Sequence, residues 1–168
     1  MNVRTPAIQN IRAMRHLSLI SLSHDHHRGL ALALRCRKQA LGQLKPIGAA
    51  GLRQRVEEVL RFYRENLVCH FRAEEEVLFP LLRSDVPQSD SLIDELLRQH
   101  EQIRRWMPQL EAGAGLAKLI FDLGDLLETH IRKEERELFP LFEEHIEQDR
   151  AKLVVVKLKR MIDSRESA

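Results

Sequence analysis

Apolar residues recur every three or four positions along most of the chain, the spacing of one buried face of an α-helix. The first such stretch runs through Leu30, Leu34 and Leu41 and is followed by the breakers Gly42, Pro46, Gly48 and Gly51. A second reads Val56, Leu60, Tyr63, Leu67, His70, Glu74, Leu78, Leu81, and a third reads Ile93, Leu96, His100, Ile103, Met107, Leu110. The fourth carries Leu116, Leu119, Leu123, Leu126, His130, Glu134, Leu138 and Leu141. Four amphipathic helices with short connections predict an all-α, up-and-down antiparallel four-helix bundle. Residues 1–20 read as an N-terminal arm, 21–145 as the bundle, and 146–168 as a short C-terminal helix, over Leu153 to Met161, with a tail. Ser21 or Ser23 is expected to cap the first helix, and Ser91 with Asp94 approximates a capping box for the third. Pro80 and Pro140 lack the amide that a helix interior needs, so each should kink or stop its helix.

The pattern is interrupted where it should be most apolar. Histidines and glutamates stand on the buried stripes, and two of these interruptions are copies of each other. His70-Phe-Arg-Ala-Glu-Glu-Glu-Val-Leu-Phe-Pro-Leu-Leu82 and His130-Ile-Arg-Lys-Glu-Glu-Arg-Glu-Leu-Phe-Pro-Leu-Phe142 lie 60 positions apart and agree at eight of thirteen places. Their common core, His followed four residues later by Glu, puts an imidazole and a carboxylate one turn apart on one helix face. Buried carboxylates and imidazoles without partners would cost several kcal/mol each, on the order of 2–7. A pair of metal ions removes that cost, because it neutralises the carboxylates and uses the imidazole lone pairs. The alternative is a buried His–Glu hydrogen-bond network.

The candidate ligands are His70 with Glu74, His100, and His130 with Glu134. On the first helix His24, His26 and His27 compete; His27 is preferred, with His26 as the alternative. Two histidines for each ion, with Glu74 and Glu134 as bridges, give four protein donors per ion. In an octahedral count a shared hydroxide or oxide and an open position complete each ion. Glu75 and Glu135 are repeated too, but they lie off the histidine face and are expected to solvate the surface or pair with arginine. Imidazole with carboxylate suits iron, manganese or zinc. Iron is preferred, because a mixed nitrogen and oxygen pair with open positions suits dioxygen or peroxide chemistry.

Composition narrows the picture. The 168 residues carry 27 Lys+Arg against 25 Asp+Glu, too balanced to suggest a nucleic-acid or anionic-membrane partner. No apolar run approaches the roughly 20 residues of a membrane span. Cys36 and Cys69 form no C-x-x-C and no disulfide framework, which suggests the cytoplasm. The basic and apolar segment Lys152 to Arg160 and the N-terminal arm leave room for a protein partner or a second copy of the chain.

The two H-x-x-x-E-E-x-x-L-F-P-L segments, with Asp25-His26-His27 and His100, resemble the hemerythrin-like family, the HHE cation-binding domain, over about residues 20 to 145. The resemblance implies a bundle holding a non-haem di-iron centre, with His27 (or His26), His70, Glu74, His100, His130 and Glu134 as ligands. It also shows a departure. Oxygen-carrying members have a second histidine four residues after the third-helix ligand, where this chain has Arg104, and a fourth-helix carboxylate five after its histidine, where Glu134 stands at four. The set is therefore similar to divergent members, to which the sensing of iron or oxygen, peroxide removal and nitric oxide responses are attributed. The function expected is to bind, sense or remove a small oxidant, and the alternative is a metal-dependent interaction module without catalysis.

Overall fold

The computed structural model describes residues 15–163, with side chains through Met161; residues 1–14 of the expected arm and 164–168 of the expected tail lie outside the described residues. A 3-10 turn at Leu17–Leu19 leads into α1 (Ile20–Ala40). The second rod of the bundle is built from α2 (Ala49–Phe62), α3 (Val68–Ala73) and α4 (Phe79–Asp85), joined without a break by π-helical turns at Tyr63–Leu67 and Glu74–Leu78. The third rod is α5 (Asp90–Ala112). The fourth is α6 (Leu116–Lys133), a π turn at Glu134–Leu138, and α7 (Phe139–His145). A last helix, α8 (Gln148–Asp163), lies across the bundle and buries Ala151, Val154 and Leu158. The four rods form the antiparallel bundle that the pattern predicts.

The α5 stripe is buried as read: Ile93, Leu96, His100, Ile103, Met107 and Leu110 all face inward. The other rods differ in informative ways. Pro80 and Pro140 neither stop nor break their helices. In each rod the amide of the residue before the proline, Phe79 or Phe139, bonds back to the carbonyl five residues earlier, Glu74 or Glu134. A π turn holds one residue more than an α turn, and such turns recur at functional sites. It accommodates the missing proline amide and turns the following segment by one residue. Beyond the turn the buried positions are therefore Leu78, Phe79 and Leu82, and Leu138, Phe139 and Phe142, while Leu81 and Leu141 are only partly buried.

On α1 the expected apolar face is turned outward: Leu34 and Leu41 are 45% and 60% exposed. The buried face carries Leu22, Asp25, His26, Gly29, Leu32, Ala33 and Cys36. Small residues are required there because α1 lies against α6. A Cβ on Gly29 would stand 2.7 Å from Ile131 Cδ1, and one on Gly124 would stand 2.7 Å from the Ala33 carbonyl oxygen. The expected caps are also absent. α1 and α5 begin at Ile20 and Asp90 with no side-chain cap, and Ser23 sits within α1.

The apolar core falls into two parts. One end holds Leu19, Leu22, Leu78, Phe79, Leu82, Ile93, Leu96, Phe139 and Phe142, closed over by α8. The other holds Leu32, Val59, Phe71, Ile103, Leu110, Ile120, Leu123, Leu127 and Ile131. Between them lies a layer of buried polar groups.

Candidate metal centre

Each bundle rod contributes one imidazole to that layer. His26 comes from α1, His70 from α3, His100 from α5 and His130 from α6, and all four are at most 3% exposed. His27 does not join them. One residue round the helix from His26, its side chain is exposed, so the preference for His27 over His26 is corrected. Leu30, three residues after His27, is only partly buried, whereas the inward face is marked by Gly29 and Ala33, three and seven residues after His26.

Glu74 and Glu134 are fully buried and divide their oxygens between the imidazoles. Glu74 sets Oε1 3.0 Å from His70 Nε2 and Oε2 3.3 Å from His100 Nε2. Glu134 sets Oε2 3.1 Å from His26 Nε2 and Oε1 3.4 Å from His130 Nε2. The imidazoles pair as well: His26 and His70 bring their Nε2 atoms within 3.1 Å, and His100 and His130 within 3.2 Å. The result is two four-donor groups, His26–His70–Glu74–Glu134 and His100–His130–Glu74–Glu134, sharing both carboxylates. All four carboxylate oxygens are buried, and each faces an imidazole Nε2. Neighbouring donors around an ion with bonds of about 2.1 Å lie roughly 3 Å apart. The donor set therefore fits a pair of cations shared between two carboxylates, which would take the place of the imidazole protons that these buried acceptors otherwise face.

The other ring nitrogen of every histidine is held too. Glu135 Oε1 lies 2.8 Å from His26 Nδ1, and Glu75 Oε1 lies 2.7 Å from His100 Nδ1. Asp25 Oδ2 is 3.2 Å from His70 Nδ1, and Gln99 Oε1 is 2.9 Å from His130 Nδ1. An acceptor at Nδ1 fixes the tautomer with its lone pair on Nε2, the atom turned toward the carboxylates. The expectation that Glu75 and Glu135 only solvate the surface or pair with arginine is thus corrected. They do pair with arginine, Arg104 on Glu75 at 2.8 Å and Arg15 on Glu135 at 2.5 Å, but the same carboxylates hold the histidines. Ser23 Oγ also donates to Glu135, at 2.7 Å. The signal available in the sequence was the repeat itself, which copies Glu75 into Glu135 as faithfully as Glu74 into Glu134. Asp25 and Gln99 left no such mark.

Phenylalanines close the layer above and below. Phe71 stacks on His100 with ring centres 3.7 Å apart, and Phe139 stacks on His26 at 5.4 Å. Exclusion of water strengthens every charge interaction inside. Burial alone would lower the His70 pKa, but the Glu74 charge and the Asp25 hydrogen bond outweigh it and raise it to about 10. His26 and His100 are likewise raised against their burial, by Glu134 with Glu135 and by Glu74 with Glu75. His130 is lowered, by burial and then by the charge on His100. Burial pushes Glu74 up, yet the charge of His70 holds it well below the usual carboxylate range. Glu134 is raised, by burial and by the charge of Glu74.

A model of the hemerythrin HHE cation-binding domain matches residues 16–159, a span that includes all six residues of the two donor groups. The chain belongs to this family. The HHE match thus reaches through most of α8 as well as the four rods, and the cation-binding description agrees with the buried His and Glu side chains. A relative described as a DNA nickase, from Nostoc sp. (strain PCC 7120), is 32% identical over 90 residues, which is 51% of this chain and 25% of the relative. The matched half of this HHE chain therefore spans about a quarter of that protein. The expectation of no nucleic-acid partner gains no support from such a relative. No solved structure matches the chain. No helix among the described residues is long and apolar enough to cross a membrane.

Proposed function

We propose that the chain is a non-haem di-iron protein that binds, senses or removes a small oxidant such as dioxygen, peroxide or nitric oxide, in the cytoplasm. The observation that carries this reading is the division of Glu74 and Glu134, one oxygen of each beside each imidazole pair. Such a layer uses four protein donors at each position, His26 with His70 or His100 with His130, and leaves coordination places for a small ligand if the ions are six-coordinate. A pair of ferrous ions, when bound, supplies two electrons to an oxidant. The chain's own residues supply the rest. Glu75, Glu135, Asp25 and Gln99 keep the imidazole lone pairs directed inward, Phe71 and Phe139 exclude water, and Arg15 and Arg104 hold the outer carboxylates in place. Manganese or zinc would satisfy the same donors, so the metal is the first thing to measure. Protein produced without added metal is expected to carry two irons per chain and an iron charge-transfer absorption, and both should be lost in His130→Ala. A folded wild-type chain with no iron, or with iron unchanged in the variant, would overturn the reading.

A second reading is supported by the spread of the imidazoles over all four rods, which lets a cation tie the rods together: a metal-dependent regulatory module that changes a partner-binding surface without catalysis. It predicts that removing the metal lowers amide protection in α1 and α5, which bring one imidazole each, before the second and fourth rods, which bring an imidazole and a carboxylate each. Equal protection with and without metal would end it. The two readings separate on whether the ferrous protein binds or consumes an oxidant, which only the first requires.

A further inference from the structure

Each end of the donor layer is held by an arginine in the same way. Arg15 bonds Glu135, which backs His26, and lies 5.0 Å over the ring of Phe139, which stacks on His26. Arg104 bonds Glu75, which backs His100, and lies 5.5 Å over the ring of Phe71, which stacks on His100. The two arginines differ in what carries them. Arg104 stands one turn after His100 on α5, so it stays in place as long as that helix does. Arg15 precedes the 3-10 turn that leads into α1, and it meets Glu135 across 120 positions of the chain. One clamp is therefore part of a rod, and the other belongs to a segment outside the rods.

That segment sits in a notch of the fourth rod that receives one guanidinium. Arg15 Nη1 donates to both oxygens of Glu143 at 3.1 Å, and Nη2 donates to the Glu135 carboxylate at 2.5 Å and to its main-chain carbonyl at 3.4 Å. The His16 amide adds a bond to Glu143 Oε1 at 2.9 Å. The Arg15, Glu135 and Glu143 side chains are 27%, 25% and 21% exposed, so water reaches all three. Ion pairs open to water contribute little each. A segment held by them opens at a lower cost than the bundle unfolds.

Withdrawal of the guanidinium acts on the His26 side in two opposed ways. It takes a positive charge away from the donor layer, which favours a cation there. It also leaves Glu135 and Glu143 facing one notch with no cation between them, and Glu135 is then drawn toward water and away from His26 Nδ1. The charge acts from the surface, where water and salt screen it. The lost contact is the one that directs the imidazole, so the positional effect is the larger. Ser23 still donates to Glu135, which makes the loss partial.

We infer that Arg15 is a positioning residue for His26, and that the segment before α1 is a releasable clamp on the metal centre. Seated, it holds His26 in the geometry that receives a cation; withdrawn, it weakens that binding. Coupling between two equilibria is reciprocal, so a bound cation holds the segment down in turn. The inference rests on the metal-binding reading above.

The test uses the full chain and zinc, with chelator competition for affinity and amide exchange, followed by NMR, for the clamp. Arg15→Ala is expected to weaken zinc binding about tenfold, the lower end of the range for partners of a histidine ligand, with the far-ultraviolet circular dichroism unchanged. The exchange experiment needs no variant. Zinc should slow exchange of the His16 amide, whose acceptor is Glu143, and leave that of the Gln43 amide, which bonds the Lys38 carbonyl in the turn beyond α1. Unchanged or tighter zinc binding in Arg15→Ala would overturn the inference while leaving the metal reading intact. So would an exchange rate at His16 that zinc leaves unchanged, or changes no more than at Gln43. A folded chain that binds no zinc at all would overturn both.

Discussion

Glu75 holds His100 from the far side of the ring: its Oε1 lies 2.7 Å from Nδ1, while the opposite nitrogen faces Glu74. One helical segment thus supplies two consecutive glutamates with different tasks, Glu74 inside the donor layer and Glu75 behind it. The same division holds for Glu134 and Glu135 against His26. The role of the outer pair is open to direct test. Glu75→Gln and Glu135→Gln should each reduce cation affinity by about 10–100-fold without unfolding the chain. Chelator competition measures the affinity and far-ultraviolet circular dichroism the fold; unchanged affinity in both variants would show that the outer carboxylates serve the arginines alone.

Cation binding should release protons and strengthen as pH rises. His70 holds its proton up to about pH 10, with His26 and His100 also raised. A ring must lose a proton before its Nε2 lone pair can reach an ion. Between pH 6 and 9 the apparent zinc affinity is therefore expected to increase. Calorimetry in two buffers of different ionisation enthalpy should show proton release; identical heats in the two buffers would contradict it.

Stability of the metal-free chain should fall at both ends of the pH range, for opposite reasons. Burial raises Glu135, but the hydrogen bonds from His26 and Ser23 overcome it and hold the carboxyl down to about 2. A lowered carboxylate contributes stability above its unfolded value of about 4.3 and loses it as pH falls toward 2. The raised His70 contributes stability fully below its unfolded value of about 6.5 and loses it as pH rises through about 10. Thermal melting against pH should show both limbs, and Glu135→Gln should flatten the acid one more than the alkaline one, to which His70 still contributes.

Two glycines test the contact between α1 and α6. A methyl at Gly29 meets the tip of Ile131, which can turn aside; a methyl at Gly124 meets the Ala33 carbonyl, which is backbone and cannot. Overpacking costs about 1–3 kcal/mol where the neighbour is rigid. Helix propensity returns about 1 kcal/mol for Gly→Ala. Gly29→Ala should consequently be close to neutral and Gly124→Ala destabilising, as read from denaturant midpoints. The reverse order would mean that the close approach is not what limits these positions.

α8 is expected to unfold with the bundle. Leu158 is 1% exposed and packs into the core part that also holds Phe79 and Phe142. Leu158→Ala should cost about 2–5 kcal/mol in a single transition. A separate early transition for α8, or no change in the main one, would show that it is an independent appendage.

By itself the sequence determined the four rods, the stripe of α5, and five candidate residues, His70, Glu74, His100, His130 and Glu134, that the structure brings together. It could do so because helical period and the 60-residue repeat are local properties of the chain. What it could not determine depended on a neighbouring helix. His26 faces inward rather than His27 because α6 approaches α1 so closely that the contact is made by Gly29 and Ala33, and Leu34 and Leu41 are left outside. The buried positions after Glu74 and Glu134 shift by a residue because each prolyl segment is accommodated by a π turn, which a fixed period of 3.6 does not contain. The outer partners Glu75, Glu135, Asp25 and Gln99 are assigned only when other rods are placed beside them. A hydrogen bond between residues 25 to 109 positions apart is decided by packing, not by spacing along one helix.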